Sequence, residues 1–232
     1  MGRRIAGLIA VGAAAVSMLG FAGTAAALAN TTPAEEKATA FLEENMARFE
    51  VPQELRASLL AKALSGATLD AQLPGAVPTS TDDVTNELGT FPVKRYPDGS
   101  FDSLGVSTEV TDADGGTSLR AIKNCKMSGG AGGSAYRGCQ VYHWTAWHNM
   151  HFDANYSRAS NAGSITYIGG RGWDSGNSCT TEEFKISKKV GNNGNPAKAD
   201  WLMACTDISG ASSSKYLGLR VSGTSAHSVQ DY

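Results

Sequence analysis

The chain has 232 residues, 41% of them hydrophobic and 18% charged, with 20 basic and 22 acidic side chains and a formal charge of −2. That balance argues against nucleic acid and anionic membrane surfaces as partners, since both call for a basic face. The length is enough for one domain with a sizeable core.

The first element is a leader. Arg3 and Arg4 precede an apolar run from Ile5 to Leu28, which closes on Ala27-Leu28-Ala29 before the polar "NTTPAEEK". A basic start, an apolar middle and small residues at the exit predict a secretory signal peptide over 1–29. Ala6 and Gly7 stand where a twin-arginine signal needs bulky residues, so general secretion is expected. Without Arg3 and Arg4, 18 basic residues face the same 22 acidic ones, a net charge of −4. No later stretch is apolar for long enough to span a bilayer, so the expectation is a secreted, extracellular protein with no membrane contact after signal cleavage.

A helical segment is predicted for 30–72. Thr32-Pro33-Ala34-Glu35 has capping-box spacing with proline at the first helical position. Ala38, Phe41, Leu42, Met46 and Phe49 then recur on one helical face. Pro52 restarts the pattern, and Leu55, Leu59, Leu60 and Ala63 form a second stripe that ends at Ser65-Gly66. The polar, proline-containing "LPGAVPTSTDD" predicts a linker over 73–90.

The period changes to two from 91 onward, and 91–232 reads as an antiparallel β domain. Pro97-Asp98-Gly99 supplies a hairpin turn, with Leu104, Val106, Thr108 and Val110 alternating after it. Further strands are expected around Leu119–Cys125, Tyr142–Tyr156, Ser164–Ile168, Phe184–Val190, Ala197–Ile208 and Tyr216–Val221. The glycine-rich stretches "SGGAGGS", "GGRGWDSGNS" and "GNNGNP" read as turns between them. The fold class that follows is mainly β, an antiparallel sandwich or barrel with a short two-helix N-terminal extension.

All four cysteines, Cys125, Cys139, Cys179 and Cys205, lie in the exported part and allow three pairings. Cys125–Cys139 and Cys179–Cys205 are favoured, because each pair encloses a loop-rich segment. Each bond would contribute on the order of 3 kcal/mol by restricting the unfolded chain. A zinc site would need C-x-x-C spacing, which does not occur.

The order "VPQELRASLLAKALSGATLDA", "RYPDGSFDSL" and a cysteine pair followed by "HFDANYSRASNAGSI" resembles a group of secreted actinobacterial proteins without an assigned activity. The resemblance spans most of the exported chain and implies a helical N-terminal segment on a disulfide-bonded β domain. It implies no catalytic residues. Export and size are also shared with actinobacterial adaptors of antibacterial toxin assemblies, which supplies an adaptor reading by analogy.

Three histidines and two tryptophans fall within "YHWTAWHNMHFDANY". On a strand or hairpin, Tyr142, Trp144, Ala146, His148, Met150, Phe152, Ala154 and Tyr156 share one largely apolar face. His148 is then a core histidine bonded to a backbone carbonyl. The other face carries His143, Thr145, Trp147, Asn149, His151, Asp153 and Asn155. His151 and Asp153 are about 7 Å apart on that face, a spacing that binds metal if a third ligand arrives from a neighbour. Trp147, a ring on a wet face, suits stacking on a sugar or anchoring a protein, unless the helices cover it. Arg171, Trp173 and Asp174 are expected on a glycine-flanked loop tip.

Enzymatic signatures are mostly missing. "GTSAH" lacks the second glycine of a nucleophile elbow, and neither H-E-x-x-H nor G-K-[ST] occurs. Adjacent Glu182 and Glu183 would point to opposite faces of a strand. "DADGG" lacks the third acidic position of a calcium loop and has Lys123 where a bidentate glutamate belongs, so it reads as a turn. The expected function is a non-catalytic module that recognises an extracellular protein partner or a cell-envelope glycan through Trp147, His151 and Trp173, with no cofactor. The alternatives are an adaptor subunit docking through its helices and a secreted hydrolase or metalloenzyme using His151 and Asp153.

Overall fold

A computed structural model describes residues 32–107, 125–206 and 210–231. The predicted signal peptide, the "DADGG" turn and most of the strand expected at Leu119–Cys125 lie outside these residues. Two helices open the described chain. α1 spans Pro33–Arg48, and its capping box forms as expected: Thr32 Oγ1 accepts from Glu35 N at 3.2 Å, and Glu35 Oε2 accepts from Thr32 N at 2.7 Å. It ends in a Schellman motif, in which Val51 N donates to Met46 O and Glu50 N to Ala47 O. That motif places Glu50, a residue with a Cβ, at φ 54°. α2 spans Gln53–Leu64, and a single 3-10 turn follows at Asp70–Gln72.

Twelve strands follow: β1 Ser80–Asn86, β2 Gly89–Arg95, β3 Phe101–Val106, β4 Lys126–Gly130, β5 Gly133–Thr145 and β6 His148–Ala159. The others are β7 Ala162–Ser175, β8 Ser178–Lys188, β9 Val190–Asn192, β10 Ala197–Thr206, β11 Ser212–Val221 and β12 Ala226–Asp231. One sheet runs β1-β2-β3-β5-β6-β7-β9, with β4 beside the first half of β5; the second runs β12-β11-β10-β8. All pairings are antiparallel and neither sheet closes on itself among the described residues. The fold is therefore mainly β and sandwich-like, with two helices near its N-terminus.

The first sheet is covered on both faces, which explains β5. Val141 joins Met150, Phe152, Ala154, Trp201 and Leu217 between the sheets. Its neighbours Tyr142 and Trp144 point the other way, into a second core with Leu42, Met46, Phe49 and Leu59 of the helices. Phe49 stacks on Phe101 at 4.7 Å and Phe91 meets Tyr142 edge-on at 5.1 Å. Burying each such large side chain stabilises by about 1.5–3 kcal/mol. The helices belong to the core of the β domain.

Two expectations about chain organisation change, and one expected turn is narrowed. The 73–90 linker contains β1, in register with β2 from Ser80↔Arg95 to Asn86↔Gly89. β1 is a polar sheet edge with Val84 as its one buried side chain, so it carries no alternation to detect. "SGGAGGS" is the tip of the β4–β5 hairpin, with both strands running into the glycines. "GGRGWDSGNS" is the continuation of β7, and the chain turns only at Gly176-Asn177.

The hairpin turn and the cysteine pairing form as expected, while Thr108, Val110 and Ile208 of the expected strands lie outside the described residues. Tyr96-Pro97-Asp98-Gly99 turns with Gly99 N on Tyr96 O at 3.0 Å and Gly99 at φ 85°. Asp98 holds the 3-10 turn by accepting from Asp70 N, and Lys62 bridges Asp70 and Asp98. Cys125–Cys139 and Cys179–Cys205 are both bonded, the second directly across β8 and β10.

Candidate functional site

The wet side of β6 forms a flat polar face beyond the edge of the helical layer. From Met150 to Tyr156 the strand alternates, with Phe152 and Ala154 sealed between the sheets and His151, Asp153 and Asn155 half-buried on the outside. The register sets these beside β7: His151 faces Gly172, Asp153 faces Gly169, and Asn155 faces Tyr167. β7 contributes glycines where side chains would block the surface. A Cβ on Gly172 would meet the His151 ring, one on Gly170 the Asp153 carboxylate, and one on Gly169 the Tyr167 hydroxyl. The side chains of β6 and Tyr167 consequently lie down across the sheet. Tyr167 remains 49% exposed. Asn155 Oδ1 accepts from Gly138 N at 2.8 Å, and Ser157 and Ser164 hydroxyls meet at 2.8 Å farther along the face.

The three predicted contact residues do not share this surface. Trp147 sits in the turn between β5 and β6, 8% exposed, and packs with Ala38 of α1 and the backbone of Gly176. The helices cover it. Trp173 is opposite Met150, so it points to the other sheet face from His151, and it is 40% exposed. It lies on strand β7, as does Arg171, whose guanidinium caps the Phe184 ring at 5.1 Å. Only His151 of the three is on the glycine-floored face. Tyr167 was missed because a lone tyrosine in "SITYIGG" gives no hint of which face it takes beside β6.

Among the described residues no three His, Cys, Asp or Glu side chains come together as a metal site, so His151 and Asp153 gain no third ligand there. A different polar group lies buried between the sheets. His143 Nε2 donates to Asp102 Oδ1 at 2.8 Å, and His143 Nδ1 lies 3.2 Å from His148 Nε2. Burial, with the charges of His143 and Lys215 after it, holds His148 well below the ordinary imidazole range and keeps it neutral. Thr145 Oγ1 accepts from the Trp147 and His148 amides and donates to the His148 carbonyl. A hydroxyl so occupied shapes the β5–β6 turn and is a poor nucleophile.

At the junction of helices and sheets, next to this group, is a cavity of about 140 Å³. Its lining includes the apolar Leu69, Ala63 and Trp147 and the polar Thr68, Gln72, Ser213, Lys215 and Asn177. Lys215 is 7% exposed, and burial pulls its amine below the usual lysine value. Asp102, at the far end of the polar group, lines a separate cleft with Lys94, Tyr96 and Gln230.

The fold and this face define an antiparallel, disulfide-stapled β-sandwich with a helical layer on one side. No family model and no curated protein matches the chain. Among solved structures it is similar to a hypothetical protein of Listeria monocytogenes EGD-e, at 17% identity over 68% of this chain and 98% of that one, with a TM-score of 0.33. No helix among the described residues is long and apolar enough to cross a membrane.

Proposed function

We propose that the protein is an exported, non-catalytic recognition module that contacts a cell-envelope glycan through the outer face of β6 and β7. The observation that carries this reading is the run of Gly169, Gly170 and Gly172, which lets Tyr167, Asp153 and His151 lie flat and leaves the tyrosine ring half open. A flat surface with one exposed ring and amide, imidazole and carboxylate groups beside it suits a sugar, which offers a C–H face to stack and hydroxyls to bond. A protein partner calls for an apolar centre of several anchors, and this face is polar apart from Tyr167. Two disulfides fit an oxidising compartment. An adaptor docking through its helices would need their apolar stripes, and those are buried against the first sheet.

A glycan array and pull-down with insoluble envelope polysaccharide test the reading. Tyr167→Ala should reduce retention about tenfold, the scale of one lost stacking contact, while Tyr167→Phe retains binding. Equal retention of wild type and Tyr167→Ala removes the face from consideration.

A further inference from the structure

Three hairpins meet at one end of the sandwich and leave a cleft of about 310 Å³. They are the tips of β4–β5 and β6–β7 in the first sheet and of β11–β12 in the second. The approach is close. Arg158 Nη2 donates to the Thr224 carbonyl, a Cβ on Gly133 would meet the Arg158 carbonyl, and one on Gly223 would meet the backbone of Ala159 and Asn161. Gly133 and Gly223 therefore contribute bare backbone to the lining, which also includes Ser134, Tyr136, Arg158 and Ser160. The Tyr136 ring is held by a stack on Tyr156 at 4.6 Å. Arg158 is the one charged residue of this lining among the described residues. One of its five guanidinium donors bonds Thr224, and Nε is sealed from solvent without an acceptor. No carboxylate among the described residues pairs with it. The stretches 126–137, 156–168 and 221–228 that enclose the cleft contain no aspartate or glutamate.

We propose that this cleft binds a single carboxylated sugar of the hexuronic acid class, with its carboxylate on Arg158, its hydroxyls on Ser134 and Ser160, and its ring against Tyr136. The size is suitable, since ligand clefts start at about 300 Å³ and this one has room for one sugar ring. The charge is suitable because a planar guanidinium fork matches a carboxylate in geometry, and its charge-assisted hydrogen bonds are the strong ones. A phosphate monoester brings about 1.5–2 negative charges at neutral pH, more than one guanidinium neutralises. Serine hydroxyls both donate and accept, as sugar hydroxyls do. Only the choice of a sugar rests on the glycan reading of the β6–β7 face. The cleft itself is separate, and Tyr167 is not in its lining.

The test is calorimetric titration of the purified, oxidised chain with glucuronate, glucose and glucose 6-phosphate at matched ionic strength. Glucuronate should bind saturably, and the other two at least about tenfold more weakly. Arg158→Gln should lose a similar factor for glucuronate. In wild type, the amide resonances of Gly133, Ser134 and Gly223 should shift with glucuronate and stay in place with glucose, which locates the site even if Arg158→Gln fails to fold. The proposal is overturned if glucuronate does not saturate, if glucose or glucose 6-phosphate matches it, if the shifts fall elsewhere, or if folded Arg158→Gln keeps wild-type affinity. Any of these results alongside Tyr167-dependent retention on polysaccharide strikes the cleft alone and leaves the β6–β7 face standing.

Discussion

Asn45 is the polar residue on which the attachment of the helices can be measured. It lies on α1, fully buried, and exchanges two hydrogen bonds with Asn149 of β6: Nδ2 to Oδ1 at 3.1 Å, and Oδ1 from Nδ2 at 3.0 Å. Its Nδ2 also donates to the carbonyl of Thr145. Asn45→Ala removes these three bonds, together with a long one to the Ala146 carbonyl at 3.5 Å, and strips the Asn149 amide and the Thr145 carbonyl of their Asn45 partner. At about 1 kcal/mol for each of the three bonds, with a further 1–3 kcal/mol for stranded groups, the cost should be about 4–6 kcal/mol. Asn149→Ala removes only the reciprocal pair and should cost about 1 kcal/mol less. In the double variant the second substitution strands no amide, so the two effects should fall short of additivity by about 1.5–3 kcal/mol. Urea unfolding of the oxidised protein, followed by tryptophan emission, measures all four corners of the cycle. Additive effects, or a loss below about 1 kcal/mol for Asn45→Ala, would refute the docking of α1 on the β5–β6 turn.

Two further outcomes follow from local structure. Glu50 occupies the left-handed position of the α1 Schellman motif, where a Cβ costs roughly 1–2 kcal/mol. Glu50→Gly should therefore stabilise by about 1 kcal/mol and raise the melting temperature by about 2–4 °C in calorimetry; a lower melting temperature would contradict the assignment. His148 is neutral in the folded chain, and in the unfolded chain it takes a proton as pH falls through its ordinary value of 6.5. Its contribution is therefore complete above that value and is lost as pH drops toward its depressed folded value, at up to about 1.4 kcal/mol per pH unit. His148→Gln should flatten the slope of unfolding free energy between pH 6.5 and about 5; an unchanged slope places the titration elsewhere.

What the sequence determined by itself is whatever depends on neighbours along the chain. The capping box at Thr32-Glu35, the stripes of α1 and α2, the turn at Asp98-Gly99, the cysteine pairing and the dry and wet sides of Met150–Tyr156 were all legible. Periodicity and capping are properties of a few adjacent residues, so they survive being read without a partner. What only the tertiary structure decided is where each exposed-looking side chain ends up. Trp147 reads as a ring on a wet strand until α1 is laid over it. The glycines of "YIGGRG" read as a loop until β6 lies alongside and fills the space they leave. Lys215 and Trp147 are 68 positions apart, and nothing but the packing of both sheets under the helices puts them on one cavity wall. Burial is set by long-range packing, and a strand's own pattern records only which two faces it has, never what covers them.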